Sequence, residues 1–314
     1  MNDAPVTAVI GAGLVGSGWA LVFARAGHRV RVHDPDAGTM ARLLPWLEKS
    51  ARELEAAGLL ADAATVVGRV QPCETLQEAL TGAGYVQESV FETVEAKTAA
   101  SLAIDEALEG DAIVGSSSSG IPASQFTEDC RHRDRFLVAH PVNPPHLIPV
   151  VELVPAPWTD PQTMERARAL MADIGQVPIN LTREIDGFVL NRLQGALLNE
   201  AWALYDEGYA DLADIDATIS HGLGLRWSFM GPFETIDLNA PGGITDYAAR
   251  LGALYHGIAM DRTQPRPWPA ETVARAGEAR RAALPETELA ERRAWRDAML
   301  TRLAAFKHSN GLGP

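Results

Sequence analysis

In the first 180 residues, short apolar runs alternate with stretches in which apolar residues return every third or fourth position. The short runs have the length and β-branched content of buried strands, and the longer period is that of a helix with one covered face. Residues 6–10, 29–33, 65–70, 85–90, 112–115, 135–139 and 177–181 are expected as strands, the last at a sheet edge. Residues 36–57 are expected as a helix, with Leu43, Leu44, Leu47, Ala51 and Leu54 at helical spacing and Gly58 as its stop. Residues 95–108 and 160–174 follow as helices, the second with Met164, Ala167, Leu170, Met171 and Ile174 on one face, and Pro122 opens a short one. Strands alternating with helices imply a parallel, doubly wound sheet, an α/β Rossmann-type fold, with right-handed crossovers.

Beyond residue 184 the strand pattern stops. Helices are expected over 185–208, 211–221, 245–260, 270–283 and 286–308, with a proline-rich link at Pro265, Pro267 and Pro269. The last helix carries Trp295, Met299, Leu300, Leu303 and Phe306 as an apolar stripe. The expected division is therefore a nucleotide-binding domain over 1–184 and an all-helical domain over 185–314, which buries little alone and is expected to pair with a second subunit.

The first strand runs into Gly11-Ala12-Gly13-Leu14-Val15-Gly16. A helix follows with Trp19, Val22, Phe23 and Ala26 on one face, ending at Gly27, and the next strand closes on Asp34. Strand, G-x-G-x-x-G, helix, strand and acid within one unit form the dinucleotide-binding pattern. Gly11 permits the tight turn, Gly13 lets backbone approach a pyrophosphate, and Gly16 lets the helix pack closely. The helix N-terminus, at Leu14 and Val15, offers free N–H groups and the positive end of its dipole. Asp34 accepts from ribose hydroxyls and repels a 2′-phosphate, which favours NAD over NADP. Arg31 alternates to another face and is not read as a phosphate clamp.

Composition narrows the function. The chain has 314 residues, enough for two domains, and a formal net charge of −14, which lacks the basic footprint of a nucleic-acid binder and gains nothing from an anionic membrane. Two cysteines, Cys73 and Cys130, make neither a disulfide framework nor a metal-ligand pattern, so reduced thiols, a cytoplasmic location and no metal are expected. The N-terminus has no basic region of a signal peptide, and no apolar run is long enough for a membrane span. Lys49, Lys97 and Lys307 are the only lysines.

Ligands bind beyond the carboxyl ends of the strands in such a sheet. One end carries Glu92 and Lys97, and another carries Ser116-Ser117-Ser118-Ser119-Gly120. A third delivers His140 into the segment Pro141-Val142-Asn143-Pro144-Pro145, and Glu152 comes twelve residues after the histidine. Proline fixes φ and removes a donor, so this segment is expected to be stiff, extended and turning. A stiff turn holds an imidazole and a carboxylate in fixed relation, as a general base and its orienting acid require.

These residues resemble those of the 3-hydroxyacyl-CoA dehydrogenase superfamily, and within it the lambda-crystallin branch of sugar-acid dehydrogenases. The resemblance rests on the glycine loop, the serines at 116–119, His140-Pro-Val-Asn-Pro-Pro and Val151-Glu-Leu-Val-Pro155. It extends through Glu184-Ile-Asp-Gly-Phe-Val-Leu-Asn-Arg192, Gly222-Leu-Gly-Leu-Arg226, Gly231-Pro-Phe-Glu234 and Arg292-Arg-Ala-Trp-Arg-Asp297. It implies a Rossmann domain followed by a helical dimerisation domain. It implies His140 and Glu152 as the catalytic pair, Ser118 and Asn191 as ligands of the substrate oxygen, and Asp34, Glu92 and Lys97 as NAD contacts besides the glycine loop. Where acyl-CoA enzymes carry Asn-Thr before the paired serines, this chain has Ser116-Ser117, a departure that fits the sugar-acid branch.

The activity so implied is NAD-dependent oxidation of the 3-hydroxyl of a small hydroxy acid, L-gulonate in that branch. Arg226 is the candidate clamp for the substrate carboxylate, since guanidinium binds carboxylate bidentately. Another 3-hydroxy substrate stays open: a short hydroxyacyl-CoA, 3-hydroxybutyrate, or carnitine, whose quaternary ammonium needs an aromatic cage for which Trp202, Tyr205, Trp227 and Phe229 are candidates. So does a non-catalytic, NAD-binding structural protein.

Overall fold

The computed structural model describes residues 4–262, 264 and 266–313. Met1-Asn2-Asp3 and Pro265 of the proposed link lie outside the described residues. The chain divides into two compact units, Met1–Arg192 with Arg293–Pro314, and Leu193–Arg292.

The first unit begins with β1 (Val6–Ile10), α1 (Leu14–Arg25), β2 (Arg29–His33) and α2 (Ala37–Ala56), as expected. Residues 65–70 differ. Asp62 accepts a hydrogen bond from the Thr65 N–H and so caps a short helix, α3 (Ala63–Val67). The strand β3 is confined to Val70–Pro72. Then come α4 (Leu76–Leu80), β4 (Tyr85–Glu88), α5 (Val94–Ala107) and β5 (Ile113–Ser116). The sequence reading missed α4, a single turn and a half closed by a capping box between Thr75 and Glu78. The turn at Pro122 is a 3-10 turn, Ala123–Gln125. The unit continues with β6 (Phe136–Pro141), β7 (Val150–Pro155), α6 (Pro161–Asp173) and β8 (Val177–Asn180).

The eight strands form one sheet in the order β3-β2-β1-β4-β5-β6-β7-β8, with β8 at an edge. Every neighbouring pair is parallel except β6 and β7, which run antiparallel. Alternate residues feed opposite faces. Val9, Tyr85, Ile113 and Leu137 join one core with α1, α2 and α6, while Ala8, Val86, Val114 and Phe136 join another with Leu80 and Ile104. Trp19, Leu21 and Phe23 are fully buried, each contributing about 1.5–3 kcal/mol of transfer free energy. Helix α1 is covered on most of its surface; only Ala26, past its end, is exposed where the sequence reading put it on the core face.

The expected helix from residue 185 begins five residues later, as α7 (Leu190–Asp206), because Gly187 and Phe188 hold positive φ angles that no helix accommodates. The second unit carries the rest of α7, then α8 (Leu212–Thr218), a π-helical turn (Ile219–Leu223), α9 (Gly224–Trp227), α10 (Pro232–Leu238), α11 (Gly243–Asp261) and α12 (Ala270–Ala283). Arg262 ties its elements by ion pairs to Glu200 and Glu207, and Trp202 stacks on Trp268. The closing helix is α13 (Leu289–Ser309). Of its apolar stripe, Leu300 packs against the core of the first unit, while Trp295, Leu303 and Phe306 are exposed.

Candidate active site

The carboxyl ends of β1, β2, β4, β5 and β6 lie side by side along one edge of the sheet, and the polar residues singled out in the sequence gather there. Gly11 has φ +97°, and a Cβ on it would lie 2.4 Å from the Ser89 carbonyl oxygen. A Cβ on Gly16 would lie 1.8 Å from the Gly11 oxygen. A Cβ on Gly13 would meet no protein atom within 4 Å, so at this position the missing side chain opens the loop to its surroundings. Gly13 and Leu14 are exposed, and Val15 is half-buried. Asp34 turns one oxygen to the Ala12 N–H, 2.8 Å away, and the other to the Asp36 N–H, also at 2.8 Å. This is the cradle a dinucleotide pyrophosphate and ribose fit: bare backbone, a free helix N-terminus and an acid beside them. The Arg31 guanidinium donates instead to the carbonyls of Glu78 and Thr81.

Lys97 is buried, and its ammonium lies 3.2 Å from Glu88 and 3.4 Å from Glu92. The sequence reading missed Glu88, the last residue of β4 and only 1% exposed, which also accepts the Ser116 hydroxyl. A charged residue closing an apolar strand, nine positions before the lysine, was its only signal. Glu92 gathers the serine loop on one oxygen: it accepts from the Ser118 hydroxyl at 2.9 Å, the Ser119 N–H at 2.7 Å and the Gly120 N–H at 3.2 Å. Burial pushes the Glu92 carboxyl up, but the Lys97 ammonium and these hydrogen bonds outweigh it and hold the group below the usual carboxylate range.

The last two serines differ. Ser118 is fully buried, and its hydroxyl accepts from the Ile121 N–H at 3.0 Å while facing Glu92 and the Ile121 carbonyl. Ser119 is exposed, with its hydroxyl 3.2 Å from Glu92. The Asn191 amide donates to the Ser119 carbonyl at 2.5 Å, so Asn191 and the serine loop meet. One serine turns in and the next out where the chain bends after β5, and this choice of side was not legible in a run of four identical residues.

His140 and Glu152 are direct partners in the register of β6 and β7. The imidazole Nδ1 lies 2.8 Å from Glu152 Oε2. The proline segment is thus the connection between two paired strands, and strand register rather than a stiff turn sets the two groups face to face. The other carboxylate oxygen, Oε1, accepts from the Val189 N–H at 2.8 Å and the Leu190 N–H at 2.9 Å, at the start of α7. Burial pushes this carboxyl up, but the His140 hydrogen bond and the two N–H groups outweigh it and keep it ionised below the usual range. His140 is 6% exposed and its ring lies 5.7 Å from that of Phe188. His146, six residues on, is a different kind of histidine: burial and the nearby Arg25 push it down to about 4, so it stays neutral.

Arg226 is exposed on α9 in the second unit. Among the described residues no cluster of His, Cys, Asp and Glu has the arrangement of a metal site, and no helix is long and apolar enough to cross a membrane.

Two family profiles match the chain: "3-hydroxyacyl-CoA dehydrogenase, NAD binding domain" over residues 6–185 and "3-hydroxyacyl-CoA dehydrogenase, C-terminal domain" over 187–284. The chain is 41% identical over 306 residues to the lambda-crystallin homolog of Bos taurus, covering 96% of this chain and 95% of that protein. It is 35% identical to the L-carnitine dehydrogenase of Pseudomonas putida, covering 78% of this chain and 76% of that one. Among solved structures it is similar to an NAD+-dependent dismutase, 5-formyl-3-hydroxy-2-methylpyridine 4-carboxylic acid 5-dehydrogenase. The TM-score is 0.82 at 28% identity, over 97% of this chain and 98% of that one.

Proposed function

The chain belongs to the 3-hydroxyacyl-CoA dehydrogenase family, whose members are NAD-dependent oxidoreductases, and on that premise we propose that it oxidises the 3-hydroxyl of a small hydroxy acid, L-gulonate, to 3-dehydro-L-gulonate. The observation that carries this reading is the His140–Glu152 pair, held at 2.8 Å across two strands. The glycine loop would hold NAD, whose nicotinamide would supply the acceptor for the hydride leaving C3. The chain's own residues manage the proton. Glu152 accepts a hydrogen bond from Nδ1–H, which leaves Nε2 as the lone-pair nitrogen of a neutral imidazole. Nε2 takes the hydroxyl proton, and the ionised Glu152 stabilises the imidazolium that forms. A base so placed contributes on the order of 10²–10⁴-fold.

The substrate-oxygen role falls to Asn191 and to a serine hydroxyl. Ser118 has no exposed surface, so we assign that role to Ser119, with Ser118 bracing the loop from beneath. Glu92 and Lys97 keep the loop in place and border the cofactor site; Gly11, Gly13, Leu14, Val15, Gly16 and Asp34 hold the dinucleotide. Arg226 is proposed to bind the substrate carboxylate, and Arg226→Lys is expected to raise KM for L-gulonate with little change in kcat.

A carnitine substrate is favoured by the 35% identical relative, but two of the four aromatic faces it would use are engaged. Trp202 is stacked on Trp268 at 5.1 Å, and Tyr205 carries the Arg275 guanidinium at 4.9 Å. A purely structural, NAD-binding role leaves the intact His140–Glu152 pair without a purpose. Incubating the protein with NAD and L-gulonate, 3-hydroxybutyrate, 3-hydroxybutyryl-CoA or L-carnitine, and following absorbance at 340 nm, tests the reading. L-gulonate is expected to give the highest kcat/KM; a higher value for another member overturns the substrate, and no turnover of any overturns the enzyme.

We further propose a cytoplasmic homodimer, with the functional boundary between residues 184 and 185, close to where one family profile ends at residue 185 and the next begins at 187. Leu193 and Leu197 on α7 and Leu254 and Ile258 on α11 are exposed, an apolar surface that a second copy would cover. Light scattering is expected to give twice the 33.7 kDa chain mass; a single-chain mass refutes the dimer.

A further inference from the structure

Phe188 is the only non-glycine among the described residues with a positive φ, at +50°. A bulky side chain in the left-handed region is strained and persists only where its surroundings over-determine it. Here they do: the ring is 0% exposed and packs with Phe126, Val138 and Val154. The residues that follow each engage the site. The Phe188 ring lies against the His140 imidazole, with centroids 5.7 Å apart and planes at 54°. The next two N–H groups, of Val189 and Leu190, end on Glu152 Oε1, and the Asn191 amide ends on the Ser119 carbonyl. Gly187, at φ +74°, makes the turn that starts this run.

We propose that Phe188 is a positioning residue for the proton-transfer pair: its packing enforces the left-handed turn that aims two backbone donors at Glu152, and its ring walls one side of His140. This rests on the reading of His140 and Glu152 as base and orienting acid. The groups that face Glu152 are His140 from β6 and the two N–H groups of α7. Removing the two donors from Glu152 leaves burial opposed by His140 alone.

The four variants separate backbone from ring. Phe188→Ala keeps the backbone penalty and loses the packing that enforces it, so the turn relaxes. Phe188→Gly loses the packing together with the penalty, so the turn remains open to it. Phe188→Leu keeps most of the apolar bulk. Gly187→Ala adds strain to the turn without touching the ring, and its Cβ has room, the nearest atom being Asn191 Cβ at 3.5 Å.

The readout needs no substrate: the carboxyl carbon-13 titration of Glu152 in the full chain, its resonance identified by its loss in Glu152→Gln. The midpoint is expected to move up by at least half a pH unit in Phe188→Ala and Gly187→Ala, and to stay within a few tenths in Phe188→Gly and Phe188→Leu. Phe188→Ala and Gly187→Ala midpoints equal to wild type overturn the proposal, as do equal shifts in Phe188→Ala and Phe188→Gly. If the truncations at 188 do not fold, Gly187→Ala decides alone: a raised midpoint supports the assignment and an unmoved one ends it. Because no hydroxy acid is turned over, failure here is distinguishable from failure of the substrate reading.

Discussion

His140 and Glu152 stand opposite one another in the one antiparallel pairing of the sheet, with Nδ1 and Oε2 2.8 Å apart. An antiparallel pair brings directly opposed side chains on one face within contact distance, so register alone supplies the proximity. The second carboxylate oxygen is fixed by the N-terminus of α7, and the acid has no freedom left to turn away from the imidazole.

Replacing that acid by its amide tests the pair directly. Glu152→Gln is expected to lower kcat by about 10²–10⁴-fold, because the amide neither holds the tautomer nor stabilises the imidazolium. NAD affinity, measured by titrating protein fluorescence, is expected to stay within about twofold of wild type.

The same carboxylate makes stability depend on pH. Its folded pKa lies below the unfolded value of about 4.3, so its contribution is complete above that value and is lost as pH falls through the folded one. The difference in melting temperature between wild type and Glu152→Gln is therefore expected to be constant from about pH 6 to 7 and to shrink below about pH 4. A difference that widens on acidification contradicts the sign.

Ser118 and Ser119 are expected to fail differently. Ser118→Ala leaves the half-buried Ile121 N–H without its hydroxyl acceptor and Glu92 without one of its donors, a loss of about 1–3 kcal/mol of stability seen in denaturant titration. Ser119→Ala is expected to change stability by less than about 0.5 kcal/mol and to lower kcat by roughly 10-fold or more. The reverse pattern would return the substrate role to Ser118.

Gly16→Ala is expected to cost at least the roughly 1–3 kcal/mol of overpacking, since its Cβ meets backbone that cannot swing aside, and to weaken NAD binding with it. Gly13→Ala places its Cβ where no protein atom lies, so it is expected to spare the melting temperature and to lose NAD affinity alone. Calorimetry with and without NAD distinguishes the two.

Asp34→Asn is expected to narrow the preference for NAD over NADP by about tenfold or more, because the repulsion of a 2′-phosphate goes with the charge. The ratio of the two cofactors' kcat/KM measures it. Arg31 does not take over as a partner for a 2′-phosphate, as it is already engaged with the carbonyls of Glu78 and Thr81.

Much of this protein was determined by sequence alone. The glycine loop, Asp34 at the end of the second strand, and the alternation of strands and helices are local patterns, because turn geometry, helix packing and strand period each depend on residues a few positions apart. His140, Glu152 and Asn191 were legible as residue types in recognisable surroundings. Tertiary structure alone decided the rest. Which residue faces His140 depends on the pairing of β6 with β7, and pairing partners are not written in either strand's own period. That Ser118 is buried and Ser119 exposed depends on how Glu92, from the segment between β4 and α5, holds the serine loop. That Glu88 is the buried partner of Lys97, and that Phe188 tolerates a left-handed backbone, follow from packing by elements far away in the chain. Local chemistry names the groups; only the fold's long-range contacts, which set burial and direction, decide which of them meet.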